Sequence, residues 1–287
     1  MQQSFNPLSK HFRQPKIYIN LPSGGNFYPA GSIDITENGE YPVYAMTAKD
    51  ELKFKTPDAL LNGQATVDVI QSCMPNIKNA WDIPSIDIDA ILIAIRIATY
   101  SDKMEIKTRI PNTEIERSYD IDLRMLLDNL RAGVFENVLN KNGFRIEIAP
   151  LSYKYFTETA LKTFEEQRMF RTLNNDSISE AEKIKQFNES FNRITELNID
   201  IVTRSVVSVQ YEDEPVVTQQ SYIQEFFANI ESDTFQALIQ HVEEQRDKFK
   251  IKPLEVETVE EDRAAGGPDR FKLPISFDQS NFFAKGS

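Results

Sequence analysis

The sequence predicts an α+β fold in which short strands and helices surround one buried apolar helix. Three observations carry that prediction. Residues 85–100 hold only three charges, Asp87, Asp89 and Arg96, and are otherwise apolar on nearly every face, as suits a helix enclosed by a domain. Short alternating runs bounded by turn residues occur on both sides of this helix and read as strands. Beyond residue 150 the apolar residues recur at helical spacing, so a mainly helical region follows. Four segments result: a loose arm over 1–15, an α+β domain over 16–149, a mainly helical region over 150–253, and an acidic linker with an aromatic tail over 254–287.

Composition limits the function. The chain has 287 residues, 40% of them hydrophobic and 26% charged, which are ordinary globular values. Its net charge of −12 argues against sequence-independent nucleic-acid binding, which needs clustered Lys and Arg, and suits a basic protein surface. A single cysteine, Cys73, leaves no intrachain disulfide and reads as a small buried hydrophobe. The N-terminal stretch lacks the apolar core of a signal peptide, so secretion by the usual route is not expected. The 85–100 run is shorter than the roughly 20 apolar residues of a membrane span and carries Arg96 near its middle; no membrane span is expected.

In chain order, Lys16–Asn20 reads as a strand and Ser23-Gly24-Gly25-Asn26 as a turn rather than a phosphate loop, whose spacing and following Lys-Ser/Thr it lacks. Strands are expected at Ser32–Ile35 and Tyr41–Met46, joined through Glu37-Asn38-Gly39. Thr47 should cap a helix, with Asp50 and Glu51 as capping-box partners. A break at Thr56-Pro57 and a turn at Asn62-Gly63 precede a helix over Gln64–Met74 with Val67, Ile70 and Met74 on one face. Ser85 is expected to cap the central helix, with Asp87 and Asp89 serving its dipole. Ala90, Ala94 and Ala98 would form a narrow stripe for close packing, and Arg96 should find a carboxylate or a cluster of carbonyls.

After it, Met104–Ile110 and Ile115–Ile121 alternate as a hairpin, Asp122–Leu130 is a leucine-faced helix, and Phe144–Ile148 is a strand. Helices are expected over Ser152–Leu173 and from Ser179, with Glu182 as capping-box partner, to at least Leu197. Residues Ile201–Val209 stand between helix and strand. Glu212–Pro215 is a turn, followed by helices over Gln219–Ile230 and Asp233–Lys250. The acidic EVETVEED and the Ala264–Pro268 stretch read as a linker before a strand with alternating Phe271, Leu273, Ile275 and Phe277. Phe282 and Phe283 stand in a polar tail and need cover, from this chain or from a partner.

Catalytic chemistry finds little support. Two histidines, His11 in the arm and His241 on an acidic helix read as a solvated face, give no nucleophile–base pair, and one Cys with two His gives no metal cluster. Carboxylates are plentiful, so an acid–base pair drawn from Glu51, Asp58, Asp87 and Asp89 is the enzymatic alternative. Asp87 and Asp89 are two apart and face different sides of a helix.

Several blocks in order, IYINLPSGGNFYP, VYAMTAKDEL, TPDALLNGQA, VIQSCMPNIKN, WDIPSIDIDAILIAIRIATY and the final FDQSNFF, resemble a baseplate family of T-even-type contractile-tailed phages, described as a hub subunit or hub assembly protein. The likeness is closest over 16–173. It implies a non-enzymatic structural or assembly role through contacts with other tail or baseplate hub proteins, with no cofactor and no small-molecule substrate. It leaves open a permanent place in the tail baseplate or a transient chaperone's role in the host cytoplasm; a tail-associated cell-wall hydrolase is the alternative from another class. Some relatives carry CxxC pairs that imply zinc; residues 109–116 and 261–271 here hold no Cys. Within the chain, Lys49, Asp50 and Glu51, together with Phe277, Phe282 and Phe283, are the candidate partner-binding residues.

Overall fold

The computed structural model describes residues 8–54, 63–172 and 180–275. The α+β class stands: strands and helices are interleaved along the chain. The central helix is α3, Ser85–Thr99, in which every residue from Ile86 to Ala98 except Asp89 is buried. Its six buried isoleucines, Ile86, Ile88, Ile91, Ile93, Ile95 and Ile97, each contribute on the order of 1.5–3 kcal/mol by leaving water. Ala90 and Ala94 of the small-residue stripe are wholly enclosed and Ala98 nearly so.

Two antiparallel strands, β1 (Pro15–Asn20) and β2 (Glu40–Tyr44), cover one side of α3. Their pairing corrects the expected hairpin through Gly39. Ile33 makes only an isolated bridge to Ile77, so Ser32–Ile35 is not a strand; β2 instead pairs across a longer excursion with β1. Helix α1 (Ala48–Phe54) opens with the expected capping box, the Thr47 N–H and hydroxyl donating to Asp50 Oδ2 at 2.8 and 2.7 Å. Helix α2 (Gln64–Cys73) buries Val67 and Ile70, and Met74 just after it. The Thr56-Pro57 break, Asp58 and Asn62 lie outside the described residues.

Downstream, β3 (Lys103–Arg109) and β4 (Glu116–Asp122) form the expected hairpin, and α4 (Leu123–Arg131) buries all four leucines of its face. Its N-cap is Asp122, whose side chain accepts from the Arg124 N–H. Strands β5 (Val138–Lys141), β6 (Phe144–Ile148) and β7 (Val206–Tyr211) then build a sheet in the order β5-β6-β7. Between β6 and β7 run two long helices, α5 (Tyr153–Thr172) and α6 (Glu180–Ser205). The ambiguous 201–209 stretch is both things in turn: helix to Ser205, strand from Val206. The Ser179–Glu182 capping box falls outside the described residues. Helices α7 (Gln220–Asn229) and α8 (Ser232–Lys248) cover the sheet, forming a second core with Ile146, Val206, Ile223, Phe227 and Leu238.

The segment read as an acidic linker is ordered structure. Strands β8 (Leu254–Glu257) and β9 (Arg270–Leu273) pair antiparallel around a short helix α9 (Glu260–Ala264). Leu273 is fully buried in the same core as α3. Arg117 of β4 donates to Glu261 and to the buried Asp262, both at 3.0 Å, which pins this unit to the β3–β4 hairpin. Glu255 and Glu257 point outward while Leu254 and Val256 point in, so an alternating strand lay hidden in an acidic run.

Candidate functional site

Three places are candidates for a functional site: the turn that holds the start of α3, the Lys49–Glu51 corner, and a groove at the base of the α5–α6 pair.

Asp87 lies in the first turn of α3, as expected, and does more than serve the helix dipole. It is fully enclosed, and its carboxylate accepts from the Ser23 N–H at 2.7 Å, the Ser23 hydroxyl at 2.6 Å and the Tyr28 hydroxyl at 3.0 Å. Burial pushes this carboxyl up to about 6, and the three donors pull against that rise by favouring the anion. Burial and the Asp87 charge in turn hold the Tyr28 phenol far above its ordinary value. Gly25 sits at φ +85°, and a Cβ there would stand 2.8 Å from the Tyr41 hydroxyl, so this turn needs glycine for conformation and for space. Ser85 is not the cap. Pro84 holds that position, and the Ser85 N–H donates instead to Leu151 O at 2.8 Å, tying α3 to the entry of α5. The Arg96 guanidinium lies 5.4 Å from the centre of the Tyr100 ring, a cation–π contact.

At the second place, Lys49 is exposed and Glu51 half-buried, while Asp50 is 3% exposed. Asp50 closes the Thr47 cap, accepts from the Ser72 hydroxyl at 2.9 Å and stands 3.6 Å from Arg13. Arg13 also donates to Ala45 O and Ser72 O, each at 2.5 Å, so the arm is anchored at its end rather than loose there. Cys73 beside it is enclosed, and burial with the Asp50 charge pushes its thiol up to about 12, as fits a packed hydrophobe. Phe277, Phe282 and Phe283 lie outside the described residues.

The third place was not singled out from the sequence. A groove of about 470 Å³ opens where the start of α3 meets α5, α6 and the end of α8. Its walls include Ile88, Phe135, Phe156, Phe164, Ile201 and Phe249; Asp89, Arg246 and Lys250 stand among them as charges. Phe156 and Phe164 leave 51% and 58% of their surface in water. The back wall is rigid, because Phe135 packs against Phe27 at 5.3 Å and against Phe249 at 6.2 Å, and a Cβ on Gly133 would strike the Phe249 ring at 2.8 Å. Burial against the walls pushes the Asp89 carboxyl up to about 6. Asp87 faces the Ser23 turn and Asp89 the groove, so the structure does not bring this pair together for acid–base work.

Helices α5 and α6 are held side by side above the groove. The Tyr155 hydroxyl donates to Asp200 at 2.7 Å, Arg204 donates to the same carboxylate at 2.8 Å, and Arg204 lies over the Tyr155 ring at 4.6 Å. Further along α6, Ile184, Phe187 and Phe191 expose 63%, 46% and 59% of their surface at i, i+3 and i+7, one stripe of the helix. His241 is not on a simple solvated face, since its Nε2 lies 2.9 Å from Glu136 O. Among the described residues no group of His, Cys, Asp and Glu is arranged to hold a metal ion, and no helix is long and apolar enough to cross a membrane.

The model of one protein family, described as T4 bacteriophage base plate protein, matches residues 14–261. No curated protein and no solved structure matches the chain.

Proposed function

Because this chain belongs to the T4 bacteriophage base plate protein family, we propose that it is a subunit of the central hub of a phage tail baseplate, acting through protein contacts rather than catalysis. Membership makes it a phage baseplate protein whose partners are other baseplate proteins. The hub position and the non-enzymatic role are our reading, supported by the resemblance of several sequence blocks to hub proteins and by the scarcity of nucleophile–base pairs.

One observation carries the reading of how it docks. The α6 stripe of Ile184, Phe187 and Phe191 presents large apolar side chains on a helix 26 residues long, about 39 Å. Rigid helices that present such stripes suit burial against a partner's apolar surface. A net charge of −12 favours a partner of basic character. Lys49 and Glu51 form a second, polar contact point, with Asp50 holding their helix turn in place from inside. Phe277, Phe282 and Phe283 belong to the proposed contact set as well. Assembly takes place in the host cytoplasm and the protein stays in the tail.

Mass spectrometry of purified tails and of assembly intermediates tests this. Presence in both supports a permanent subunit. Presence in intermediates alone would convert the reading to that of a transient chaperone, and absence from both would end it. Lytic activity of the purified chain on host cell wall would overturn the non-enzymatic part.

A further inference from the structure

Asp89 stands in the groove without a partner. It is the one residue between Ile86 and Ala98 of α3 that is not enclosed, and it lines the groove beside Ile88. Among the described residues no N–H or O–H donates to its carboxylate and no Lys or Arg pairs with it. Asp87, two residues earlier, has three donors. Burial alone pushes the Asp89 carboxyl up, with no neighbouring cation to pull it back. Arg246 and Lys250 also line the groove but are exposed, and Lys250 is already held by Asp247 at 2.6 Å. A carboxylate set among apolar walls costs free energy until a cation or a donor meets it. The chain itself supplies neither within the described residues.

We propose that the groove seats an apolar segment of a partner protein through a Lys or Arg side chain whose cation meets Asp89, with the segment's apolar residues against Phe156 and Phe164. The shape suits a segment of protein. Phe156, Ala160 and Phe164 follow one another at four-residue spacing on one face of α5, and the small Ala160 leaves a notch between two half-exposed rings. The rings lie eight residues, about 12 Å, apart along the helix, the reach of about four extended residues. A volume of about 470 Å³ has room for a few side chains. Charge favours a basic segment, since the chain carries −12 and an ion pair is strengthened where water is excluded. The inference rests on the baseplate reading only for the source of the segment.

Three capped peptides test it with the full chain at pH 7: Leu-Phe-Lys-Leu-Phe, and the same peptide with Gln or with Glu in place of Lys. Titrations followed by NMR should show the Lys peptide binding at least tenfold more tightly than the other two. Asp89→Asn keeps the side chain's shape and should erase that preference without lowering the melting temperature. Ala160→Trp, at an exposed position of α5, should fill the notch and weaken the Lys peptide tenfold or more. Equal affinity for the three peptides would overturn the proposal. So would tightest binding of the Glu peptide, which would give the groove to an anion at Arg246, or a Lys preference that survives Asp89→Asn. The peptides contain nothing of phage origin. A Lys preference that depends on Asp89 while no baseplate protein binds the chain would therefore count against the baseplate reading and support the groove's assignment.

Discussion

Ser23 and Asp87, 64 residues apart, are joined twice: the serine's N–H and its hydroxyl both donate to the one carboxylate, at 2.7 and 2.6 Å. This double bond of turn to helix fixes where the central helix starts. It also explains why a charge is tolerated inside the core, since each oxygen has its donor. Replacing Ser23 with Ala removes the hydroxyl donor and should lower stability by about 1–3 kcal/mol, read from urea unfolding at pH 7. A loss under about 0.3 kcal/mol would show that the backbone bond and Tyr28 suffice.

The raised carboxyls set a pH dependence. Asp87 and Asp89 both titrate near 6 in the folded chain, above the ordinary value of 3.8. A group whose folded pKa is raised favours folding while it is protonated. The contribution is whole below about 4 and is lost as pH rises through about 6. Asp89→Asn, which spares the Ser23 contacts, should therefore gain stability over the wild type at pH 7 by on the order of 1–2 kcal/mol and little at pH 4. Equal differences at the two pH values would contradict the assignment.

Leu273→Ala should cost about 2–5 kcal/mol, because this side chain is fully enclosed in the core of α3. Differential scanning calorimetry would register that loss as a lower midpoint of a single transition. A neutral result would mean that the β8–β9 unit hangs outside the cooperative fold.

The anchoring of the arm is separable from the core. Arg13→Ala removes donors to Ala45 O and Ser72 O but leaves Asp50 its Thr47 and Ser72 partners. Limited proteolysis should then cut before residue 15 several times faster while α1 and α2 stay protected. Protection of the arm equal to wild type would refute the anchoring role.

On the docking stripe, Ile184→Ser should leave stability within about 0.5 kcal/mol, since this side chain is 63% exposed. Affinity for the baseplate partner should fall tenfold or more, measured by interferometry against purified hub components. Undiminished affinity would move the docking face elsewhere.

The sequence exposed whatever was local. The β3–β4 hairpin, the four leucines of α4 and the helices over 220–229 and 232–248 follow from periodicity and capping within a few residues. What it hid was long-range. Nothing near Asp87 announces Ser23, and nothing near Tyr41 announces β1 rather than the nearer Ser32–Ile35 as its partner. The β8 strand was masked because its outward residues are glutamates, which read as a linker until its inward Leu254 and Val256 are seen to pack. The groove draws on the region of α3 and on α5, α6 and α8, and no single stretch of sequence contains it.

The two long helices leave and re-enter the sheet at one point, where Ile148 pairs with Val206 and the Ala149 N–H donates to Ser205 O at 2.8 Å. Their departure and return are adjacent, so the sheet does not care how far they travel in between. Whole turns added to or removed from both helices would move the far end in steps of about 5.4 Å with the strand register untouched. The helix pair is thus a gauge of adjustable length mounted on a fixed base.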